Sequence, residues 1–340
     1  MHHAHVAALP WDEIHSPTKK FHSFSCNLSL ALGGLRNVGP SGGGHPFDLQ
    51  LRRIPAGAAV CPYHLHLAQW EFFVVRRGHG RVRTPDGFTD VKPGDAFFHP
   101  PGSPHQLFST GPDELEVLII ADHPPLDACY YPDSDKWFLR PPGKLFRITE
   151  TDYFDGEDPA PAGAPPSPFA PPPPALPIAP FTQRLVAIDS VPWEVWESPN
   201  KKFRSAYKGI SEALGAKRNT PTGLGGHPFD LEVGRLDPGQ CGCPYHSHSS
   251  QWELFLFHSG TATVRTPGGT QVFGPGELVL HPPGEAHQLT NTGPDELHYS
   301  LIADNPPTDI WHYPDSDKWG HSGTKKFFRA TDVDYWDGEE

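Results

Sequence analysis

The sequence predicts an all-β protein built from two tandem antiparallel sandwiches or barrels. Short apolar runs recur about every 8–12 residues and are separated by turns that contain Gly or Pro, a rhythm typical of such folds. Helical periodicity is scarce along the chain. In addition, residues 16–157 repeat as residues 198–339 at a constant offset of 182 positions and without a gap. Both halves are therefore expected to share one backbone.

The length of 340 residues allows two domains of ordinary size, each with its own core. We predict a first barrel with an irregular tail over residues 1–158, and a second barrel with an equivalent tail over residues 181–340. Residues 159–180 are rich in Pro and Ala and are predicted to form an extended linker. The tail block 131–137 returns unchanged as 313–319.

Within each half, the predicted strands are short and the turns between them carry Gly or Pro. The segment 205–216 is the best helix candidate, and it is short. Alternation of apolar strands with such turns favours antiparallel neighbours over helical crossovers. The clearest predicted strands are 70–75, 95–99 and 115–120, and the clearest turns are 77–78, 85–87 and 92–94.

Composition argues against several classes of partner. The net charge is -13, and no basic stripe is present, so neither nucleic acid nor an acidic membrane surface is an expected partner. No apolar run is long enough to cross a bilayer, and the N-terminal residues do not read as a signal peptide. Five cysteines, an odd number in a chain of this length, are not typical of a disulfide framework. Without a CxxC pair, a thiolate zinc site is not expected either. We expect a reducing, cytoplasmic location.

The first candidate metal site begins with two histidines that are separated by one residue. On a β-strand side chains alternate between faces, so His64 and His66 are expected to point the same way. Glu71 follows five residues later, and His105 comes at the start of a later strand. Three imidazoles and one carboxylate suit a borderline divalent metal. We therefore predict a metal site formed by these four side chains.

A second complete ligand set stands 182 positions further along the chain. It consists of His246, His248, Glu253 and His287. Nothing in the sequence disables either set. The chain is therefore expected to hold up to two metal ions.

The spacing of these residues closely resembles the two signature motifs of the cupin superfamily. This resemblance implies that each half is a small jelly-roll β-barrel, that the three His and the Glu bind a metal inside it, and that the chain is a bicupin. Two departures are minor: six residues, rather than the usual five, separate the leading glycine from the first histidine, and Ser109 stands where the second half has Asn291. The motif residues are Gly57, His64, His66, Glu71, Gly78, Gly94, Pro100, Gly102 and His105, then Gly239, His246, His248, Glu253, Gly260, Gly276, Pro282, Gly284, His287 and Asn291.

The resemblance implies a metal-dependent enzyme of the oxygenase or decarboxylase type that acts on a small carboxylate-bearing or aromatic molecule. The metal could be Fe, Mn, Zn or Ni, since the ligands alone do not choose among them. The alternative is a non-catalytic, metal-containing protein that binds a sugar or another metabolite. No catalytic acid, base or nucleophile is identified from the sequence. The barrels are expected to pair with each other or to form homo-oligomers.

Residues that share a strand face with the predicted ligands are candidates for the pocket wall. Phe73 and Val75 share the face of Glu71, and their aromatic and apolar character would favour a substrate with an apolar part. The alternative, that they are simply core residues, is the favoured interpretation. Gln69 could donate to a bound oxygen or lie at the surface. The equivalent residues of the second half are Phe255, Phe257 and Gln251.

Two further features leave alternatives open. Arg83 and Arg265 could hold a substrate carboxylate or lie at a solvated rim. Tyr63 has strand parity opposite to that of His64 and is predicted to face outward. The copies also differ, for example at Arg52 and Gly234, so the two pockets are expected to differ in affinity, or only one of them to turn over.

Overall fold

A computed structural model describes residues 1–140, 142–151, 153–154, 157, 169, 171–172, 174 and 177–339. The chain divides into two compact units. We call Trp11–Asn27 with Asn37–Leu185 the first barrel, and Met1–Pro10 with Leu28–Arg36 and Val186–Glu340 the second barrel. Most of the predicted linker at 159–180 lies outside the described residues.

The described chain consists mainly of strands and turns. In the first half the strands are β1 (His2–His5), β2 (Asp12–His15), β3 (His22–Asn27), β4 (Phe47–Ile54), β5 (Leu65–His66), β6 (Glu71–Arg77), β7 (Gly80–Thr84), β8 (Gly87–Val91), β9 (Asp95–His99), β10 (Gln106–Ser109), β11 (Leu115–Asp122), β12 (Asp127–Tyr131), β13 (Lys136–Arg140) and β14 (Lys144–Phe146).

The second half repeats this series of strands. They are β15 (Leu185–Ala187), β16 (Glu194–Glu197), β17 (Arg204–Gly209), β18 (Phe229–Leu236), β19 (Ser247–His248), β20 (Glu253–Ser259), β21 (Ala262–Thr266), β22 (Gly269–Phe273), β23 (Glu277–His281), β24 (Gln288–Asn291), β25 (Leu297–Asp304), β26 (Ile310–Tyr313), β27 (Lys318–His321) and β28 (Lys326–Phe328).

Both barrels have the same sheet topology. The large sheet has the order β15-β9-β6-β11-β4-β3-β2 in one case and β1-β23-β20-β25-β18-β17-β16 in the other. A three-stranded sheet, β10-β7-β8 or β24-β21-β22, belongs to each barrel. Their strand pairs are antiparallel, as in β4 with β11 and β18 with β25. The prediction of an all-β chain with two equivalent jelly-roll barrels is confirmed.

Each barrel encloses its own apolar core. Alternate residues of β6 face inward in the first barrel, and Phe73 and Val75 pack there with Phe97, Val117 and Ile119. Period-two alternation puts these side chains on one face of the sheet, where burial removes their apolar surface from water. The second core contains Phe255, Phe257, Val264, Val279, Leu289, Leu297 and Tyr299.

The predicted irregular tail is wrong for the part that follows each barrel. Residues 127–146 form β12, β13 and β14, which add to β5 as a four-stranded sheet, and β26, β27 and β28 do the same beside β19. Trp137 is buried in this sheet. The edge of β5 offers unpaired backbone groups, and pairing with β12 satisfies them. A short strand with no alternating apolar pattern of its own is therefore ordered by its neighbour.

The helices are short. They are α1 (Leu28–Ala31) and α2 (Ile210–Ala213). The helix candidate at 205–216 is thus strand up to Gly209 and helix only for the next four residues. Among the described residues, no helix is both long and apolar enough to span a membrane.

Candidate metal centres

Backbone pairing brings the predicted ligands of the first barrel together. His64 and His105 form an isolated antiparallel bridge, in which His64 N donates to His105 O at 3.1 Å and His105 N donates to His64 O at 2.8 Å. His66 ends the two-residue strand β5, and Glu71 begins β6. The bridge therefore sets two imidazoles side by side, while the bend between β5 and β6 turns the carboxylate toward them.

The four side chains converge on one oxygen atom. Glu71 Oε2 lies 2.9 Å from His105 Nε2, 3.5 Å from His66 Nε2 and 3.7 Å from His64 Nε2. The three imidazoles are buried. The ring centres of His64 and His105 are 4.5 Å apart, and those of His64 and His66 are 5.1 Å apart. The cluster is thus compact enough for one ion.

The second barrel repeats this arrangement. Glu253 Oε2 lies 2.6 Å from His287 Nε2 and 3.8 Å from His248 Nε2. The ring of His246 is centred 5.0 Å from that of His248 and 4.7 Å from that of His287. Donor atoms of His246, His248 and Glu253 all lie within 4.8 Å of one another. The structure therefore brings together each set of side chains that the sequence predicts as ligands.

Hydrogen bonds at Nδ1 orient the imidazoles of the first cluster. Nδ1 of His64 lies 2.9 Å from the carbonyl oxygen of Pro62, and Nδ1 of His105 lies 3.0 Å from that of Ser103. Because a carbonyl oxygen can only accept, each Nδ1 carries the hydrogen. The lone pair of each ring is then on Nε2, which faces Glu71. The equivalent contacts in the second barrel are His246 Nδ1 to Pro244 O at 2.9 Å and His287 Nδ1 to Glu285 O at 3.2 Å.

This arrangement of lone pairs fits a cation. A neutral imidazole with hydrogen on Nδ1 and a carboxylate both present electron pairs, and such acceptors repel at the distances seen here unless a positive charge lies between them. His248 Nε2 is buried and has no hydrogen-bond partner among the described residues. Three nitrogens and one oxygen match the preference of a borderline divalent metal. The residues present therefore fit the ion that the spacing predicts.

Protonation states of His105, His246 and both carboxylates agree with this ligand set. Burial lowers the pKa of His105 to about 4 and that of His246 to about 3, so both rings are neutral near pH 7. Burial alone would raise the pKa of Glu71 and Glu253, but the neighbouring imidazoles hold both well below the usual value. The carboxylates are therefore ionised, as metal ligands must be.

At His64 and His248, burial lowers the pKa, but neighbouring groups raise it above the usual value. These groups are Cys61 with Glu71 at His64, and Glu253 with Asp309 at His248. These two rings therefore hold a proton in the absence of another cation.

Sequence comparison assigns the family. The Cupin domain family matches residues 50–121 and 232–303, which contain the four-ligand set of each barrel. This chain is a two-domain cupin. No match was found among curated proteins.

Solved structures with this cupin architecture include oxalate decarboxylases. A single-site variant from Bacillus subtilis is 15% identical, with a TM-score of 0.52 over 91% of this chain and 78% of that chain. The enzyme from Lactobacillus farciminis, in a formate complex, is 15% identical, with a TM-score of 0.51 over 91% and 88%. A putative glyoxylate-induced protein from Pseudomonas aeruginosa is 12% identical, with a TM-score of 0.53 over 86% and 84%. Identities this low show a common fold.

Two aspartates beside the cupin ligands were missed in the sequence. Asp127 Oδ2 lies 2.6 Å from His66 Nδ1, and Asp309 Oδ2 lies 2.7 Å from His248 Nδ1. The second oxygen of Asp127 accepts from the backbone N of Ala68 at 3.0 Å. Each carboxylate thus fixes the ring plane and the loop that follows the histidine. The constant separation was an available signal, since both aspartates stand 61 residues after their histidine. However, no local motif links two residues so far apart in the sequence.

A fourth histidine at each cluster also escaped notice. His99 stacks on His105 with ring centres 3.8 Å apart and planes at 3°. His281 stacks on His287 at 4.0 Å and 10°. Both extra rings are buried, and burial lowers the pKa of His281 to about 4. They pack flat against a ligand ring and restrict its rotation. The repeated His-Pro-Pro-Gly sequence was the available signal.

Cys129 forms a further group with His66 and Asp127 in the first barrel. Its Sγ lies 3.2 Å from His66 Nδ1, the nitrogen that is already bonded to Asp127. Burial raises the pKa of the Cys129 thiol, so the sulfur keeps its proton and is a poor metal ligand. Trp311 occupies the equivalent position in the second barrel. This group therefore supports the His66 ring.

The predicted wall residues divide into two kinds. Phe73 and Phe255 line the cavity beside their cluster, whereas Val75 and Phe257 lie deeper, in the apolar core. Alternation along β6 and β20 predicted the shared face but not the depth. How deeply each side chain is buried depends on which strands pack against it in the folded barrel.

The predicted glutamines hold the backbone in place. Gln69 Nε2 donates to Asp122 O at 2.7 Å, and Gln251 Nε2 donates to Asp304 O at 2.6 Å. Gln69 is buried, which excludes the surface alternative. Gln251 also lines a cavity. In both barrels the amide nitrogen is therefore committed to a main-chain oxygen at the bend before the ligand carboxylate.

Arg83 is partly exposed at the rim, as one of its two alternatives has it, and makes an ion pair within the chain there. Its guanidinium makes two hydrogen bonds to Asp133, at 2.7 and 2.9 Å, and stacks over Tyr63 at 3.9 Å. Arg265 pairs with Asp315 in the same way. A forked contact of this kind ties the tail sheet to its barrel. Arg83 and Arg265 therefore recognise a carboxylate of the chain itself.

Among the cavities lined by described residues, those beside the two clusters differ in volume. In the second barrel, adjoining cavities of about 530 and 420 Å³ both reach His246 and Glu253. The matching cavity of the first barrel, which reaches His64 and Glu71, holds about 100 Å³. A ligand the size of a small aromatic acid therefore has room beside the second cluster.

One cross-strand residue pair, which differs between the two barrels, accounts for part of this difference in volume. Arg52 on β4 faces Val117 on β11, and the Arg52 side chain lines the small cavity. At the same place in the second barrel, Gly234 faces Tyr299. A Cβ atom on Gly234 would lie 2.4 Å from Tyr299 Cζ, so the tyrosine ring can occupy its position only above glycine. The long, charged side chain is thereby removed from the second cavity.

Proposed function

We propose that this protein is a metal-dependent enzyme of the oxygenase or decarboxylase type, acting on a small carboxylate-bearing or aromatic molecule. One observation carries the proposal: three Nε2 lone pairs and a carboxylate oxygen converge beside cavities of about 530 and 420 Å³ in the second barrel. A buried set of this kind is suited to holding a reactive cation next to bound substrate.

The residues His246, His248, Glu253 and His287 would hold the ion in the second barrel. A divalent ion there, Fe, Mn, Zn or Ni, would supply Lewis acidity or redox chemistry to an oxygen-bearing ligand. The chain's own contribution is to orient that ligand and to exclude water. Phe255 and Tyr313 line the cavity and favour an aromatic or otherwise flat molecule.

Similarity to oxalate decarboxylases supports the choice of reaction type. The net charge of the ligand set supports the choice of substrate, since a divalent ion with three neutral imidazoles and one carboxylate keeps a charge of about +1 and attracts anions.

The first test is metal content followed by turnover. Purified full-length protein is expected to hold about two divalent ions per chain by elemental analysis. Iron- or manganese-loaded protein is then mixed with a panel of oxalate, keto acids and aromatic acids, and CO2 release and O2 uptake are followed. His246→Ala should abolish the signal. His298→Ala, at a half-exposed histidine of the same barrel, should leave it unchanged.

Two outcomes would count against the proposal in different ways. Metal content near zero after expression in metal-replete medium would remove the site itself. Full metal content with no turnover across the panel would favour the alternative, a metal-containing protein that binds a sugar or another metabolite.

We also propose a reducing, cytoplasmic location. Cys26, Cys61, Cys129, Cys241 and Cys243 are all free thiols. Fractionation of the source cells with an antibody to the protein tests this proposal, and recovery in a secreted fraction would contradict it.

A further inference from the structure

A carboxyl group that the ligand sets do not use faces the cavities of the second barrel. Glu232 lies in the middle of β18 and lines both cavities together with His246 and Glu253. Its side chain is 12% exposed. In the sheet, Glu232 pairs with Leu301, which in turn pairs with Phe255 of the ligand-bearing strand β20. The register therefore puts Glu232 on the inner wall, two strands from the cluster.

Arg218 holds this carboxyl group. The Arg218 guanidinium donates to Glu232 Oε1 and stacks over the ring of Tyr207 with 4.0 Å between its central carbon and the ring centre. Arg218 Nε is buried and has no hydrogen-bond partner in the described part of the chain. Arg218 also lines both cavities. The pair is thus fixed on one side and open to a ligand on the other.

Opposing effects bring the pKa of Glu232 close to neutral pH. Burial raises the pKa of Glu232, Arg218 lowers it, and Asp230 on the same strand raises it, with a result of about 7. Glu212 on α2 also raises this pKa. A carboxyl group with a pKa near the working pH can both take and return a proton.

The first barrel has no such group at this position. Its counterpart is Gln50, whose Oε1 accepts from Ser25 at 3.2 Å and from Arg52 at 3.0 Å. An amide cannot exchange a proton in this pH range. The two cupin domains therefore share their ligand sets, but at this wall position the second barrel carries a carboxyl group and the first carries an amide.

We propose that Glu232 is the proton-accepting residue of the second barrel and takes the hydroxyl proton of a bound phenol or enol. The inference rests on the proposed metal site and names the substrate class for it. The O–H bond of the ligand breaks, its electron pair stays on the ligand oxygen, and a new O–H bond forms on the Glu232 carboxylate. No oxidant is needed, and the proton returns when product leaves. Only the second barrel can perform this step.

The cavity favours this class of ligand. Phe255, Tyr299 and Tyr313 provide flat apolar contact for an aromatic or conjugated body. The oxyanion that results from proton transfer would face the cluster of imidazoles with its bound ion, which stabilises negative charge. Arg218 would keep Glu232 ionised until the ligand arrives. A hydroxyl group on a flat ring can make three contacts at once, with the aromatic wall, with the ion-bearing cluster and with Glu232.

The test measures protons released when 4-nitrocatechol binds to the metal-loaded full chain at about pH 8, where its second hydroxyl is still protonated and Glu232 is ionised. In weakly buffered solution with a pH indicator, the wild type should release almost no proton, because Glu232 takes it. Glu232→Gln should release about one proton per bound probe and bind about tenfold more weakly. Glu197→Gln, which removes the same charge at an exposed site of the same barrel, should behave like the wild type.

Each result separates this inference from the proposed function. A metal-loaded Glu232→Gln protein with wild-type affinity and no proton release would overturn the role of Glu232 and leave the metal site intact. A metal-loaded wild type that does not bind the probe would overturn the ligand class. A wild type without metal would overturn the proposed function. If Glu232→Gln loses its metal or its fold, Glu232→Asp is measured instead. Its shorter carboxylate should still take up the proton, so that almost none is released, and release of about one proton per bound probe would overturn the role of this position.

Discussion

At the scale of single residues, one carboxylate determines how a ligand ring is presented. Asp309 Oδ2 lies 2.7 Å from His248 Nδ1, and Asp309 Oδ1 accepts from the backbone N of Ser250 at 2.9 Å. The aspartate therefore fixes both the ring and the loop behind it. Its negative charge makes Nε2 of His248 more basic and therefore a stronger electron-pair donor to a metal cation.

Asp309→Asn should weaken metal binding in the second barrel by about tenfold or more, because the neutral amide no longer strengthens the imidazole. The measurement is competition with a chromogenic chelator, with two ions resolved per chain. The first site is an internal control and should keep its affinity. Asp127→Asn should show the reverse pattern. Equal affinity of all sites in both variants would contradict this role.

A second pair of acids lies behind the bend that leads to the ligand carboxylate. Asp122 Oδ1 accepts from Trp70 N at 2.7 Å, and Asp304 Oδ1 accepts from Trp252 N at 2.6 Å. Burial raises the pKa of each aspartate to about 7. Because the folded value lies above the unfolded value, the protonated form is favoured by folding.

The stability that these groups contribute is complete below the unfolded pKa of about 4 and is lost as the pH rises through about 7. Asp304→Asn keeps an oxygen for Trp252 and removes the charge. In chelated protein its free energy of unfolding should exceed that of the wild type by about 2 to 4 kcal/mol at pH 8, with little difference at pH 4. Urea titrations at both values measure this. A pH-independent difference would show that the charge is not responsible.

At the scale of strands, a cross-strand pair sets the size of each cavity. Arg52 with Val117 and Gly234 with Tyr299 are equivalent pairs on equivalent strands. Arg52 Nη1 donates to Ser23 Oγ at 2.9 Å, which holds the long side chain across the small cavity. Volume at this place therefore depends on two residues that are far apart in sequence and adjacent in the sheet.

The double variant Gly234→Arg with Tyr299→Val should transfer the first wall into the second barrel. We expect metal content to stay unchanged and binding of 4-nitrocatechol to fall by about tenfold or more, because the new guanidinium fills the cavity. Both are measured on the full chain. The single variant Gly234→Arg is a poor substitute, since Tyr299 blocks even its Cβ. Wild-type probe binding by the metal-loaded double variant would show that this wall does not control access.

At the scale of the whole molecule, each ligand set comes from one compact unit. His64, His66, Glu71 and His105 belong to the first barrel, and their counterparts all lie within Val186–Glu340. Each unit has its own core. Loss of one ion should therefore leave the other site complete.

His64→Ala should remove one ion per chain and leave the His246 site loaded, because an imidazole contributes to a single cluster. His246→Ala should do the reverse. Elemental analysis and circular dichroism of both variants provide the measurement and its folding control. Loss of both ions from a folded variant would show that the two sites are coupled.

Much of this architecture could be predicted from local patterns. Period-two alternation and turn residues indicated strands, and the spacing of His64, His66 and Glu71 indicated ligands, because both depend on residues close in sequence. The tail strands β12, β13 and β14 could not be predicted in this way. They form because the edge of β5 is available for pairing, which is a property of the folded sheet.

The sequence by itself determined the duplication, the β class and both sets of candidate ligands, since each depends on short-range spacing repeated at one offset. Tertiary structure alone decided which ring nitrogen faces inward, which aspartate supports it, and how much space remains beside it. Those properties depend on contacts between distant strands, such as His248 with Asp309 and Gly234 with Tyr299. The same contacts place Glu232 on the cavity wall, where its strand position alone could not.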